Sequence, residues 1–114
     1  MDKPITWMGG SRSKIKNFHI WARQQVGFQL RKVQQGLSPS DWKPMVSIGA
    51  GTMEIRLHEP HEHRVIYVAK FEEAVYVLHA FEKKTRKTDK RDVEIARKAY
   101  RAVLNLRRGN KYED

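Results

Sequence analysis

A chain of 114 residues is long enough for one compact core and too short for two, so a single domain over residues 1–114 is expected. Hydrophobic residues make up 39% and charged residues 32%, which excludes an intrinsically disordered chain, and the absence of cysteine excludes disulfides, thiolate zinc sites and a thiol nucleophile. The 23 lysines and arginines outnumber the 13 acidic residues, and the resulting net charge of +10 favours a polyanionic partner such as nucleic acid.

The first third of the chain predicts one short strand and two helices. Residues 5–8 are a candidate strand that ends at a Gly-Gly turn. Ser11 is a candidate cap for a helix over residues 12–18. A longer helix is predicted over residues 20–35, because its apolar residues recur at helical spacing and Gly36 is a natural stop. Two helices this close in sequence predict a helical hairpin.

The middle of the chain changes from helical to alternating periodicity after a predicted loop over residues 37–44. The glycines of residues 49–51 are expected to bend the chain into a strand. Apolar and polar residues alternate over residues 52–57, which predicts a strand with one buried face. Residues 64–71 and 74–81 are rich in β-branched and aromatic residues and predict two further strands of an antiparallel meander.

A final helix is predicted over residues 89–106, with Asp89 as its cap. The predicted order is therefore strand, helix, helix, three strands and helix. This order predicts an α+β domain in which a twisted antiparallel sheet combines with an N-terminal helical hairpin and a C-terminal helix. The pattern leaves open which face of the sheet the last helix covers.

Histidines and glutamates crowd the predicted turn between the first two strands of the meander. Clustered imidazoles are able to bind a transition metal. A polar turn is the simpler interpretation, because the spacing matches no helical or strand metal motif, and no metal or other cofactor is predicted. The residues are His58, Glu59, His61, Glu62 and His63.

Two arginines flank this turn and are expected to approach each other if the strands pair around it. Arg56 alternates with apolar neighbours, so its side chain is predicted to leave the face that those neighbours bury. Adjacent guanidinium groups, here those of Arg56 and Arg64, repel each other unless an anion lies between them, and a phosphate fits that position. An ion pair of Arg56 with Glu54 or Glu82 is the alternative.

A concentrated basic segment follows the last strand, since 12 of the 23 basic residues lie between Lys83 and Lys111. Cations around a scissile phosphodiester would stabilise the charge that grows on the pentacoordinate phosphorus. A lysine there is a candidate base for the 2′-hydroxyl or acid for the leaving 5′-oxygen. His79 is a competing candidate, or an ordinary histidine of the sheet. Beyond Lys83 and Lys84, the cations expected to bind RNA are Arg86, Lys87, Lys90 and Arg91.

Apolar runs of membrane-span length, roughly 20 residues, do not occur, nor does a signal-peptide core near the first residue. The expected location is therefore the cytoplasm, and no membrane partner is expected.

Several motifs resemble the phage-derived branch of the RelE/HigB toxins. They are Ile48-Gly-Ala-Gly51 followed by Glu54-Ile-Arg56, Arg64-Val-Ile-Tyr-Val68, and Val77-Leu-His-Ala-Phe-Glu-Lys-Lys-Thr85. The resemblance covers nearly the whole chain and implies a compact RelE-like α+β fold. It also implies the toxin of a type II toxin–antitoxin pair, acting as a metal-independent endoribonuclease that cuts messenger RNA, commonly in the decoding site of the ribosome.

The resemblance implies roles for residues and partners as well. Arg64 takes the place of the phosphate-stabilising arginine and Lys84 that of a second catalytic cation, with Arg56 and Lys83 as helpers. The implied partners are messenger RNA, the ribosome with its RNA, a helix-turn-helix antitoxin protein, and operator DNA through the antitoxin complex only. Two alternatives are a toxin of the same fold that inhibits DNA gyrase and a non-catalytic, nucleic-acid-binding phage remnant.

Overall fold

A computed structural model describes residues 2–112, which form three helices and five strands. In chain order the elements are β1 (Ile5–Trp7), α1 (Ser11–Lys16), α2 (Ile20–Gln34), β2 (Trp42–Pro44), β3 (Thr52–Leu57), β4 (His63–Val68), β5 (Val75–Glu82) and α3 (Lys90–Tyr112). The strands form one twisted sheet in the order β1-β5-β4-β3-β2. The α+β class and the C-terminal helix are confirmed.

The sheet is antiparallel from β2 to β5, whereas β1 is parallel to β5 at one edge. The expected antiparallel arrangement therefore holds for the meander and not for β1, because two helices connect β1 to the meander and permit a parallel crossover. At the other edge lies β2, within a segment that was predicted to be a loop. Its Pro44 lacks an N–H group, which an edge strand tolerates.

Helices cover both faces of the sheet. On one face, α1 and α2 bury a set of apolar side chains that includes Ile15, Phe18, Ala22, Val26, Leu30, Ile55, Leu57, Val65 and Val77. On the other face, the apolar stripe of α3 packs on β4 and β5, and its buried residues include Ala96, Tyr100, Val103, Ile66, Leu78 and Phe81. The last helix therefore covers the face opposite the first two helices, a point that the sequence left open.

This arrangement buries β3 on both sides. Thr52 and Glu54 are buried, although they alternate with the apolar residues of the strand. The prediction of a strand with one buried face is therefore wrong, because the apolar cluster that includes Ile48 and α3 lies on that second face of the sheet, where Ile66 and Val68 are the partners of Glu54 and Thr52. A carboxylate, Glu54, consequently lies inside the protein and requires cationic partners.

The helix ends agree with two of the three predicted signals. The Oδ1 atom of Asp89 accepts a hydrogen bond of 2.8 Å from the Arg91 amide, which confirms Asp89 as the cap of α3. Gly36 follows α2 with a φ of 83°, as a helix stop requires. Ser11 is not a cap, because it is the first residue of α1 and its hydroxyl donates to the Val77 carbonyl at 3.1 Å.

The first two helices are separated only by residues 17–19, but α1 packs mainly on β5 and little on α2. With six residues, α1 has less than two turns at about 3.6 residues per turn. It is too short to lie along α2, so the expected helical hairpin is not clearly formed.

α3 is the longest helix, with 23 residues, and no helix of the described chain is both long and apolar enough to cross a membrane. It is fixed to the rest of the fold at two places. The Tyr100 hydroxyl donates to the Ala50 carbonyl at 2.8 Å, and its ring lies against Gly49. Nearer the end of the helix, Arg107 Nε donates to Glu73 at 2.7 Å, which lowers the pKa of that carboxyl to about 2.

Candidate functional site

The two arginines that flank the β3–β4 turn face each other directly in the register of the two strands. The Oε1 atom of Glu54 lies 3.8 Å from Arg64 Nε and 4.0 Å from Arg56 Nε. The expected proximity of the two guanidinium groups is therefore confirmed. The anion found between them is the buried carboxylate of Glu54, which was the alternative to a phosphate.

Arg64 is only 2% exposed, so solvent hardly reaches its guanidinium group. This group donates to Glu62 Oε1 at 2.8 Å and to the His63 carbonyl at 3.0 Å. Within the described chain, three buried atoms of the cluster have no hydrogen-bond partner, namely Arg64 Nε, Arg56 Nε and Glu54 Oε2. The charges of the cluster are paired, but its hydrogen bonds are incomplete. Glu62 occupies the position beside Arg64 where the sequence predicted a phosphate.

His58 links this cluster to the loop before β2. One ring nitrogen lies 2.5 Å from the Asp41 carboxylate and the other 2.9 Å from that of Glu62. Hydrogen bonds to Asp41 and then to Glu62 raise the pKa of His58 above its ordinary value of 6.5. The bonds from His58 and Arg64 to Glu62 lower the pKa of that carboxyl. The charged imidazolium form of His58 is thus favoured.

The histidine-rich turn is organised by bonds among its own groups. The carboxylates of Asp41 and Glu62 lie on opposite edges of the His58 ring and do not converge on one point. His63 is fully buried, and its Nδ1 lies 2.8 Å from the carbonyl oxygen of His61. In the part of the chain that the structure describes, no three His, Asp or Glu side chains are grouped to hold a metal ion.

The first lysines of the basic segment lie beside this turn. The Lys83 amide donates to the Glu62 carbonyl at 2.8 Å, which extends the pairing of β4 and β5 by one bond and fixes where the segment leaves the sheet. Lys83 is half-buried and Lys84 is exposed. Both line an open cleft of about 670 Å³, here called the cation cleft, together with His58, Pro60, His61, Glu62 and Glu82.

His79, the competing catalytic candidate, is 2% exposed. Its Nε2 lies 2.7 Å from Asp92 Oδ1 of α3, and its ring is stacked on that of Phe81 with the centroids 5.4 Å apart. These contacts favour the interpretation of a sheet histidine held beneath α3. Asp92 and Lys84 both line a second cleft of about 180 Å³ on the α3 side of the basic segment.

The remaining predicted RNA contacts lie on the surface at the start of α3 and in the loop before it. Arg86, Lys87, Lys90 and Arg91 are all exposed, and none of them lines either of these two clefts. The Thr85 hydroxyl bonds to the Lys87 carbonyl and so holds the loop locally. The structure thus brings Lys83 and Lys84 to the β3–β4 turn. It leaves the other four cations on an adjoining surface.

Sequence reasoning named one of the carboxylates that complete the site and missed the roles of the other two. Glu54 was named as an alternative ion-pair partner of Arg56, and it lies two residues earlier on the same face of the strand. Glu62 was assigned to the turn without a partner. Asp41 lies in the predicted loop, and no spacing in the sequence connects it to His58.

The comparisons with known proteins supply the family. No curated protein matches the chain. A family model described as phage derived protein Gp49-like (DUF891) matches residues 13–101, which extend from α1 into α3. That family is a toxin-like family of the RelE superfamily, and the five-stranded sheet with its C-terminal helix is consistent with a RelE-like fold. Because the match covers most of its length, the chain belongs to the Gp49-like family of phage-derived proteins.

Proposed function

We propose that the protein is the toxin of a type II toxin–antitoxin pair and a metal-independent endoribonuclease of the RelE/HigB kind, which cuts messenger RNA on the ribosome. One observation carries the proposal, namely the cation cleft, where Lys83 and Lys84 lie beside a histidine whose charged form is favoured. Membership of a toxin-like family supports the same conclusion.

The cleft contains the groups that RNA transesterification needs. The 2′-oxygen attacks phosphorus, its proton passes to a base, and the 5′-oxygen leaves with a proton from an acid, which produces a 2′,3′-cyclic phosphate. His58 is the proposed acid, because its carboxylate partners favour the protonated ring, and its Nδ1 proton becomes available to the 5′-oxygen once Glu62 has moved aside. His61 is exposed on the same cleft and is the proposed base. Lys83 and Lys84 would stabilise the negative charge on the pentacoordinate phosphorus.

The arginine pair has a supporting role in this proposal. Arg64 is bonded to Glu62, so it reaches a phosphate only after Glu62 has moved aside. Arg56 is half-buried and lies at the border of the site. The exposed Lys84 would therefore make the first contact with the substrate. Arg86, Lys87, Lys90 and Arg91 would hold the flanking phosphates.

The proposed partners follow from the same family relationship. They are messenger RNA and ribosomal RNA as substrate and platform, and a helix-turn-helix antitoxin protein through which the complex would bind operator DNA. The cytoplasm is the proposed place of action.

The test is primer-extension mapping of a messenger RNA in a reconstituted translation reaction, with wild type, Lys84→Ala and Lys98→Ala in parallel. Lys84 is suited to this test because its side chain is exposed, so we expect its removal to leave the fold intact. We expect ribosome-dependent cuts in frame with codons, reduced roughly 100-fold in Lys84→Ala, as for the loss of one charge-stabilising donor. Lys98, which is exposed on α3 away from both clefts, serves as the matched control.

Equal cutting by Lys84→Ala and Lys98→Ala would remove Lys84 from the site. If wild type made no cuts at any concentration, the nuclease proposal would be wrong. A DNA gyrase supercoiling assay would then test the gyrase alternative, and RNA binding without cleavage would favour the non-catalytic remnant.

A further inference from the structure

A third open cleft, of about 350 Å³, lies between α2 and the end of β3. We call it the tryptophan cleft. The lining residues that matter here are Trp21, Gln25, Asp41, Arg56, His58 and Glu59. It shares His58 with the cation cleft, so the two clefts adjoin at this residue.

Trp21 is a half-exposed aromatic residue that lines this cleft. It is 52% exposed, whereas its neighbour Ala22 and the next turn's Val26 are fully buried against the sheet. Trp21 therefore lies beside the core stripe of α2 and presents a large aromatic surface to the cleft. Exposed aromatic rings next to cationic groups are the platforms on which proteins stack the bases of single-stranded nucleic acids.

The charges around the tryptophan cleft suit a neutral base held beside a phosphate. On its helical side the cleft is lined by Trp21, Gln25 and Gln29, which are uncharged, whereas Arg56 and His58 line it at the end of β3. Asp41 is already bonded to His58. The remaining acid, Glu59, is an exposed acceptor that could bond the amino group of a base, and the Gln25 amide offers both a donor and an acceptor.

We propose that the tryptophan cleft is a nucleobase subsite. It would hold one base of a single-stranded RNA stacked on Trp21, with Gln25 and Glu59 at the base edge, while the adjacent phosphate lies in the cation cleft. This inference rests on the proposed function and deepens it, because it assigns base recognition to α2, which the nuclease proposal does not use.

The test measures binding without cleavage. Fluorescein-labelled 2′-O-methyl hexanucleotides of a single base, and an abasic hexamer of the same backbone, are titrated with the protein and followed by anisotropy. The methyl group blocks attack by the 2′-oxygen, so the result does not depend on nuclease activity. The variants are Trp21→Ala, the conservative Trp21→Phe and the control Phe28→Ala. Phe28 is 61% exposed on the same helix and does not line the cleft.

We expect Trp21→Ala to bind the hexanucleotides roughly 5- to 150-fold more weakly than wild type, the range for the loss of one base–aromatic stack. Its affinity for the abasic hexamer should be unchanged. Trp21→Phe should retain most of the affinity, and Phe28→Ala should behave as wild type.

Three outcomes would overturn the subsite. In the first, Trp21→Ala and Phe28→Ala bind the hexanucleotides with equal affinity. In the second, Trp21→Ala weakens binding of the abasic hexamer as much as binding of the hexanucleotides. In the third, Trp21→Ala binds every oligonucleotide normally but no longer copurifies with a partner protein, which would identify a protein-docking surface. The proposed nuclease would fail differently, because hexanucleotide binding through Trp21 without any cleavage on ribosomes would leave the subsite in place.

Discussion

Arg64 illustrates how a charged residue is accommodated inside this protein. Its guanidinium group is surrounded by the carboxylates of Glu54 and Glu62 and by the His63 carbonyl, while Arg56 approaches Glu54 from two residues along the same strand, β3. Two positive and two negative side chains balance, so the cluster as a whole is neutral. Burial of the arginine is tolerated for this reason, and loss of one partner would leave an uncompensated charge.

The first prediction follows from this balance. Arg64→Ala should lower the free energy of unfolding by about 3–5 kcal/mol, because it leaves Glu54 buried without its second cation. The measurement is urea denaturation followed by circular dichroism, with Arg86→Ala as the control. Arg86 is exposed, and its removal should change the stability by less than about 0.5 kcal/mol.

An Arg64→Ala protein as stable as wild type would show that the cluster is not held by charge pairing. If the loss is as large as expected, Arg64→Ala is a poor probe of catalysis, since a fall in activity would report unfolding.

The sequence was informative about these residues up to a definite limit. Strand periodicity was enough to predict that Arg56 and Arg64 meet. It could not predict that Glu54 lies between them inside the protein, because that depends on α3 covering the second face of the sheet. Whether a phosphate replaces Glu62 at Arg64 stays a prediction.

At the level of elements, the contact between α3 and the segment before β3 depends on a glycine, Gly49. A Cβ atom at Gly49 would lie 2.4 Å from the Tyr100 ring, and this ring's hydroxyl bonds to the next residue, Ala50. The glycine therefore permits the aromatic ring to lie directly on the backbone. Its role is close packing, whereas the bend into β3 falls on Gly51, which has a φ of 80°.

The second prediction compares two glycine substitutions. Gly49→Ala should reduce stability by about 1–3 kcal/mol, because the added methyl group displaces Tyr100. Gly27→Ala should instead raise stability by about 0.5–1 kcal/mol, since Gly27 lies within α2 and an added methyl group would meet no neighbouring side chain within 4 Å. Thermal unfolding of both variants would decide the point. Equal melting temperatures would contradict the proposed packing role of Gly49.

Elements that rest on periodicity were predicted well, and elements that rest on tertiary pairing were not. The bounds of α2 and β5 differ from the prediction by one residue at each altered end. β2 was missed because three residues ending in Pro44 carry no strand pattern, and they form a strand only by pairing with β3. α3 extends to Tyr112, beyond the predicted end at residue 106. The prediction stopped where the apolar stripe ends, and the helix does not.

On the scale of the whole molecule, positive charge occurs on both sides of the sheet. One part belongs to α1 and α2, and the other to the basic segment and α3. The cation cleft and the tryptophan cleft lie between these parts, at the end of the sheet where β3 meets β4. A strand of RNA across that end would meet cations on both sides, which is the charge arrangement expected for a bound polyanion.

The third prediction concerns the salt dependence of RNA binding. On a plot of the logarithm of the association constant against the logarithm of the salt concentration, each phosphate contact of a single strand contributes a slope of about −0.7. Four contacts, with Lys83, Lys84, Arg86 and Lys87, would therefore give a slope of about −3. The double variant Arg86→Ala/Lys87→Ala should lower the magnitude of this slope by about 1.4. Titration of an uncleavable oligonucleotide at several salt concentrations measures both values. Binding that does not depend on salt would contradict the phosphate contacts.

The pairing of β1 with β5 also affects the order in which the protein can fold during its synthesis. Lys3 Nζ donates to the Phe71 carbonyl, 68 residues further along the chain, and β1 has no sheet partner until β5 has been translated. The lysines of the cation cleft come directly after β5. A nascent chain therefore cannot complete its sheet or its cleft until most of it has left the exit tunnel. For the proposed ribosome-dependent nuclease, this order of folding would delay the complete cleft until translation of the protein is nearly finished.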